Sequence, residues 1–147
     1  MGWKSTTGYI FFLGEAPISW SSIKEPVVTL SSCETKYVTA CEETWQVAWL
    51  SSLIKDLKVD LTKKVKLLMD NKSIINLDWH LASHGRSKHI ETNFHYIREQ
   101  VNNGSLEIEH CRSKMQLINV LTKAMELDRF KNLRKLINVT SVNESLA

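Results

Sequence analysis

The chain has 147 residues, with 43% apolar and 24% charged, which suits one compact globular domain and excludes wholesale disorder or a fibrous class. Its 19 Lys and Arg against 16 Asp and Glu leave a net charge of +3, which permits a nucleic-acid partner without arguing for one. The three cysteines, Cys33, Cys41 and Cys111, lack the close pairing of a metal site or disulfide framework, and read as reduced thiols. Neither a long apolar run nor a hydrophobic leader follows Met1, so the expected location is intracellular, cytoplasmic or nuclear, and not secreted or in a membrane.

In chain order, residues 8–13 and 17–23 are short aromatic or β-branched runs around Gly14-Glu15-Ala16-Pro17, the pattern of a β-hairpin. Ser31-Ser32-Cys33-Glu34 carries a hydroxyl three residues ahead of a Glu, a capping box that opens a helix. Tyr37, Ala40, Cys41, Thr44, Val47, Ala48, Ile54 and Leu57 recur at spacings of three and four and carry that helix to about Leu57. Trp45 and Trp49 on it are read as core and edge packing.

Val65-Lys66-Leu67-Leu68-Met69 reads as a buried strand that delivers Asp70 and Asn71 to its carboxyl edge, where α/β folds place chemistry. A short helix is expected from Lys72 to Trp79 and a polar loop over residues 80–87. Ile90, Phe94, Ile97 and Val101 recur at helical spacing, and Asn103-Gly104 supplies a left-handed stop. Residues 105–110 alternate apolar with polar, the mark of a half-exposed strand. Ser113-Lys114-Met115-Gln116 repeats the capping-box pattern, and Leu117, Val120, Leu121, Phe130, Leu133, Leu136 and Ile137 give apolar faces to one or two last helices. The expected order, β-β-α-β-α-α-β-α, is an α/β domain on a mixed sheet over residues 1–139, with a frayed tail at 140–147.

Several strings taken together resemble one family. They are Lys4 to Tyr9, Pro17 to Ser22, Leu30 to Glu34, Trp49-Leu50, Met69-Asp70-Asn71, Arg86 to Ile90, His95 to Arg98 and Leu121-Thr122-Lys123. In that order they resemble the ribonuclease H domain of copia-type retrotransposon Pol polyproteins, over residues 2 to 137. The resemblance implies a ribonuclease H-like mixed sheet flanked by helices, and the cleavage of RNA in RNA/DNA hybrids during reverse transcription. It also implies Mg²⁺ as cofactor, an RNA/DNA hybrid as partner, and the reverse transcriptase region of the same polyprotein as neighbour. Four carboxylates hold two Mg²⁺ ions in such an enzyme, activating the water and stabilising the departing oxyanion.

Set against the family's motifs, this sequence departs from them. The first acid belongs to a central first strand expected upstream of Lys4, and the chain starts too late to contain it, so that strand is expected to be missing. The second acid position, in the motif aligned with Ser31 to Tyr37, is Lys36. The third is kept as Asp70, and the fourth, in the motif aligned with Gln116 to Lys123, is Asn119. Asp70 is thus the sole retained acid and a vestigial metal ligand, although an Asp at a strand end also serves to start a following helix.

Other residues are weighed the same way. Glu34 is read as a cap and not a substitute ligand, because two residues rotate ~200° around a helix and turn it away from position 36. His80, His84, His89 and His95 lack the Cys or acid that completes a zinc site. Arg86, Lys88, His89 and Arg98 stand as phosphate contacts for a nucleic acid or as a solvated basic face. Lys131, Arg134 and Lys135 complement a helix C-terminus. The functional expectation is an inactive remnant of a ribonuclease H-like domain. Its competitors are a nucleic-acid or protein binding module without catalysis, and an active enzyme completed by an upstream segment.

Overall fold

In the computed structural model, described over residues 6–24, 32–61, 63–70, 72 and 88–140, with backbone alone at 32–35 and 88–90, the chain divides into two compact units. One comprises residues 1–28 with 117–147, the other residues 29–116. Its class is mixed α/β, with small sheets flanked by helices, compatible with a ribonuclease H-like fold.

In the first unit, strands β1 (Thr6–Leu13) and β2 (Ala16–Lys24) pair antiparallel, Thr6 opposite Lys24 and Ile10 opposite Trp20, with a register shift between Phe11 and Phe12. Gly14 closes the hairpin at φ 63°, a left-handed value that a side chain disfavours. Gly8 is required for a different reason: a Cβ there would stand 2.2 Å from the Ser21 carbonyl oxygen and 3.3 Å from Ile118 Cδ1. That bare backbone lets the short helix α3 (Asn119–Thr122) settle on the hairpin, where the Ser22 hydroxyl donates to the Leu121 carbonyl at 2.8 Å. Helix α4 (Leu127–Leu136) ends with Arg134 and Lys135 in its last turn, where cations meet the negative end of its dipole. Beyond it Asn138 takes φ 59° and donates from Nδ2 to the Glu15 carbonyl at 2.8 Å, so the chain's last described turn is tied to the hairpin loop.

The second unit is built on helix α1 (Ser32–Asp56), strand β3 (Val65–Met69), helix α2 (Lys88–Asn102) and strand β4 (Leu106–His110). Tyr37, Ala40, Cys41, Thr44, Val47, Leu50 and Ile54 form the buried stripe of α1, and the Thr44 hydroxyl satisfies itself on the Ala40 carbonyl at 2.7 Å. Phe94 and Ile97 of α2 close over this stripe, with the Tyr37 and Phe94 rings 6.2 Å apart. Strands β3 and β4 run parallel, Val65 opposite Leu106 and Met69 opposite His110, and bury Leu67, Met69 and Leu106. A parallel pair needs a crossover, and α2 lies on it in sequence. Gly104, at φ 79°, then turns the chain out of α2 as the Asn103-Gly104 pair predicts.

Three expectations need correction. Leu57 is exposed and not part of the core, because α1 ends at Asp56 and Lys58 takes φ 57°. Trp45 and Trp49 are also exposed; Trp45 lies flat on Tyr96 of α2, ring centroids 4.3 Å apart and 9° from parallel. Ser113 caps no helix: residues Ser113–Met115 form a single 3-10 turn whose N-cap is Arg112. The helix and loop expected over residues 72–87, apart from helical Lys72, and the tail beyond Thr140 lie outside the described residues. Among the described residues no helix is long and apolar enough to cross a membrane.

Candidate functional site at the end of strand β3

Alternating burial on β3 turns Leu67 and Met69 inward and leaves Asp70 as the first residue past the strand, at the carboxyl edge of the parallel pair. Two other elements reach it. Lys36, in the second turn of α1, places Nζ 3.0 Å from Asp70 Oδ1, the two side chains being 45% and 26% exposed. Ser113, just beyond β4, donates from its hydroxyl to Asp70 Oδ2 at 2.9 Å. Parallel register explains the second contact: Met69 faces His110 and the Cys111 amide donates to the Met69 carbonyl at 2.8 Å, so whatever follows β4 arrives beside Asp70.

Gln116 completes the attachment by donating from Nε2 to the Leu68 carbonyl at 3.0 Å. The two residues that look like a capping box, Ser113 and Gln116, therefore fasten the 3-10 turn to the end of β3 instead. Sequence reasoning missed this role because a Ser-x-x-Gln spacing fits a helix cap equally well. Only the strand register distinguishes the two.

Chemically, both carboxylate oxygens of Asp70 accept hydrogen bonds from protein donors, one of them a full cation. An ammonium offers no lone pair to a metal and repels it. Being part-exposed, the ion pair itself adds no more than ~1 kcal/mol of stability. Among the described residues no group of three or more His, Cys, Asp or Glu side chains is placed to hold a metal ion. The donor set at Asp70 does not fit the two Mg²⁺ ions that the resemblance implies.

The remaining candidates are distributed as follows. Asn119 is buried at the start of α3 in the first unit, its carbonyl accepting from the Lys123 amide at 3.0 Å. Arg98 is exposed on α2; Lys88 and His89 open that helix, their side chains outside the described set, and Arg86 lies outside it altogether. His80 and His84 also fall outside, whereas His95 is exposed with Nε2 4.0 Å from Glu91 Oε1. The structure therefore brings together Lys36, Asp70 and Ser113. Cys41 and Cys111 are free thiols, and burial pushes the Cys41 thiol up from its ordinary range.

Glu43, on α1, was not singled out by its sequence context. Burial, with the neighbouring Glu42 charge, pushes its carboxyl up to about 8. Glu43 stands between Glu42 and Thr44, a polar run that gives no sequence signal of this, since the cost arises only once the helix is covered.

This chain is similar to several curated proteins. It is 38% identical over 141 residues to the "Retrovirus-related Pol polyprotein from transposon RE1" of Arabidopsis thaliana, covering 96% of this chain and 10% of that protein. The corresponding protein from transposon RE2 of the same plant is 36% identical over the same coverage. The "Retrovirus-related Pol polyprotein from transposon TNT 1-94" of Nicotiana tabacum is 31% identical over 138 residues, 94% of this chain and 10% of the relative. No family model and no solved structure matches. The chain spans about a tenth of the length of these curated relatives, and through nearly all of its own length it is homologous to retrovirus-related Pol polyproteins of copia-type transposons.

Proposed function

We propose that the chain is a ribonuclease H-like segment of a copia-type retrotransposon polyprotein in which two-metal cleavage of RNA/DNA hybrids has been lost. The observation that carries this reading is the 3.0 Å ion pair between Lys36 and Asp70. The resemblance expects an acid at position 36, so that two carboxylates would share a cation; here the pair sums to zero charge before any metal arrives. At an effective dielectric of about 20, each unit of positive charge is repelled by ~4 kcal/mol at 4 Å, which opposes metal entry at Asp70. The acid aligned with Asn119 is replaced by a neutral amide, which removes a further unit of negative charge. Residual nucleic-acid contact is assigned to Arg86, Lys88, His89 and Arg98, as phosphate contacts that give affinity without sequence choice.

The test is a labelled RNA/DNA hybrid incubated with pure chain in Mg²⁺ and separately in Mn²⁺, after cooperative unfolding has shown that the preparation is folded. No cleavage is expected under either ion. Cleavage that disappears in Asp70→Asn overturns the proposal, because the metal site would then assemble despite Lys36.

A further inference from the structure

Helix α1 is apolar on two sides. One side is the buried stripe already described. The other carries Trp45, Trp49, Leu53 and Leu57 at a constant spacing of four, with exposures of 57%, 59%, 42% and 67%. The Leu57 amide still donates to the Leu53 carbonyl at 3.0 Å, so the last member follows the helical path past Asp56. No charged residue interrupts the row. Residues four apart on a helix form a continuous ridge, and ridges of this kind interdigitate with one another at about −50°.

We propose that this ridge is a homodimer contact, occupied by the same ridge of a second copy of the chain across a two-fold axis between Trp49 and Leu53. A two-fold contact is self-complementary, each residue meeting a different residue of the partner. With the axis there, Trp49 of one copy meets Leu53 of the other and Trp45 meets Leu57, so each layer sets a large side chain against a smaller one. Trp45 is already immobilised by its stack on Tyr96, which lowers the ordering cost of using it as an anchor.

Area sets the size class of the contact. Taking ~250 Å² for a whole indole, the two tryptophans expose roughly 300 Å² per copy, and with the two leucines the ridge reaches roughly 450 Å². Twice that, about 900 Å², falls among weak, transient interfaces and not obligate ones. For a transient contact of this class the dimer is expected at about 10–100 µM and dissociates below that.

Sedimentation of the full chain across about 1–300 µM tests this. The weight-average mass is expected to rise from 16.9 kDa toward twice that value, with tryptophan emission shifting to the blue over the same concentrations. Trp49→Ser with Leu53→Glu is expected to remain monomeric throughout with an unchanged melting temperature. Leu57→Glu alone, beyond the helix end, is expected to weaken association tenfold or more and serves if the double variant does not fold. A native chain that stays monomeric over the whole range, a dimer that survives Leu57→Glu undiminished, or association without the emission shift overturns the proposal.

Discussion

Glu43→Gln removes an ionisable group at nearly constant volume. In the folded chain the Glu43 carboxyl, pushed from 4.5 up to about 8, holds its proton where the unfolded chain has released it. It has no ion-pair partner among the described residues. The folded value is the raised one, so between the two values unfolding releases a proton, and stability must fall as pH rises. Each pH unit in that window costs ~1.4 kcal/mol. The whole interval amounts to at most about 5 kcal/mol, a ceiling that local relaxation and water entry reduce. Against a total stability of ~5 to 15 kcal/mol this decides whether the chain is robust. Urea unfolding from pH 5 to pH 9 is expected to show the native chain losing stability steadily up to about pH 8 and then levelling, while Glu43→Gln is flatter and more stable at pH 8. An equally steep decline in Glu43→Gln, or a native profile that is level through this range, refutes the reasoning.

Lys36→Glu should raise the affinity of Asp70 for Mn²⁺ by ~10-fold or more, read as paramagnetic broadening of nearby resonances, since it replaces a repelling charge with a ligand; unchanged broadening would remove Lys36 as the block. Replacing Arg86, Lys88 and Arg98 together by Ala should weaken hybrid binding at low salt and flatten its salt dependence; unaltered binding would exclude this patch.

Much of the fold was legible because local patterns and burial agree. The Val65 to Met69 run has the strand bounds that its apolar content predicts, and Gly104 takes the left-handed turn that Asn103-Gly104 announces. The same logic puts Asp70 at a strand end, where it lies. What escaped depends on pairs far apart in sequence. Ser113 meets Asp70 through strand register across 43 positions, a contact that outweighs the local cap its spacing suggests. Trp45 stacks on Tyr96 of another helix, and no property of α1 alone tells an indole bound for a neighbouring ring from one bound for the core. Leu57 continues the apolar period, but the helix stops before the stripe can bury it.

The unit that joins residues 1–28 to residues 117–147 has a consequence in time. Its tethers span 99 positions from Ser22 to Leu121 and 123 from Glu15 to Asn138. At ~5–20 residues per second, a ribosome that has delivered the hairpin needs roughly 5–25 s to deliver the helices that cover it. Throughout that interval the bare Gly8 backbone lacks Ile118 beside it and the Ser22 hydroxyl lacks the Leu121 carbonyl, while residues 29–116 form a compact unit of their own. The hairpin is thus the stretch most open to a chaperone or to a neighbouring nascent chain, and synonymous changes that slow translation between the two tethers should lower soluble yield without altering the finished protein.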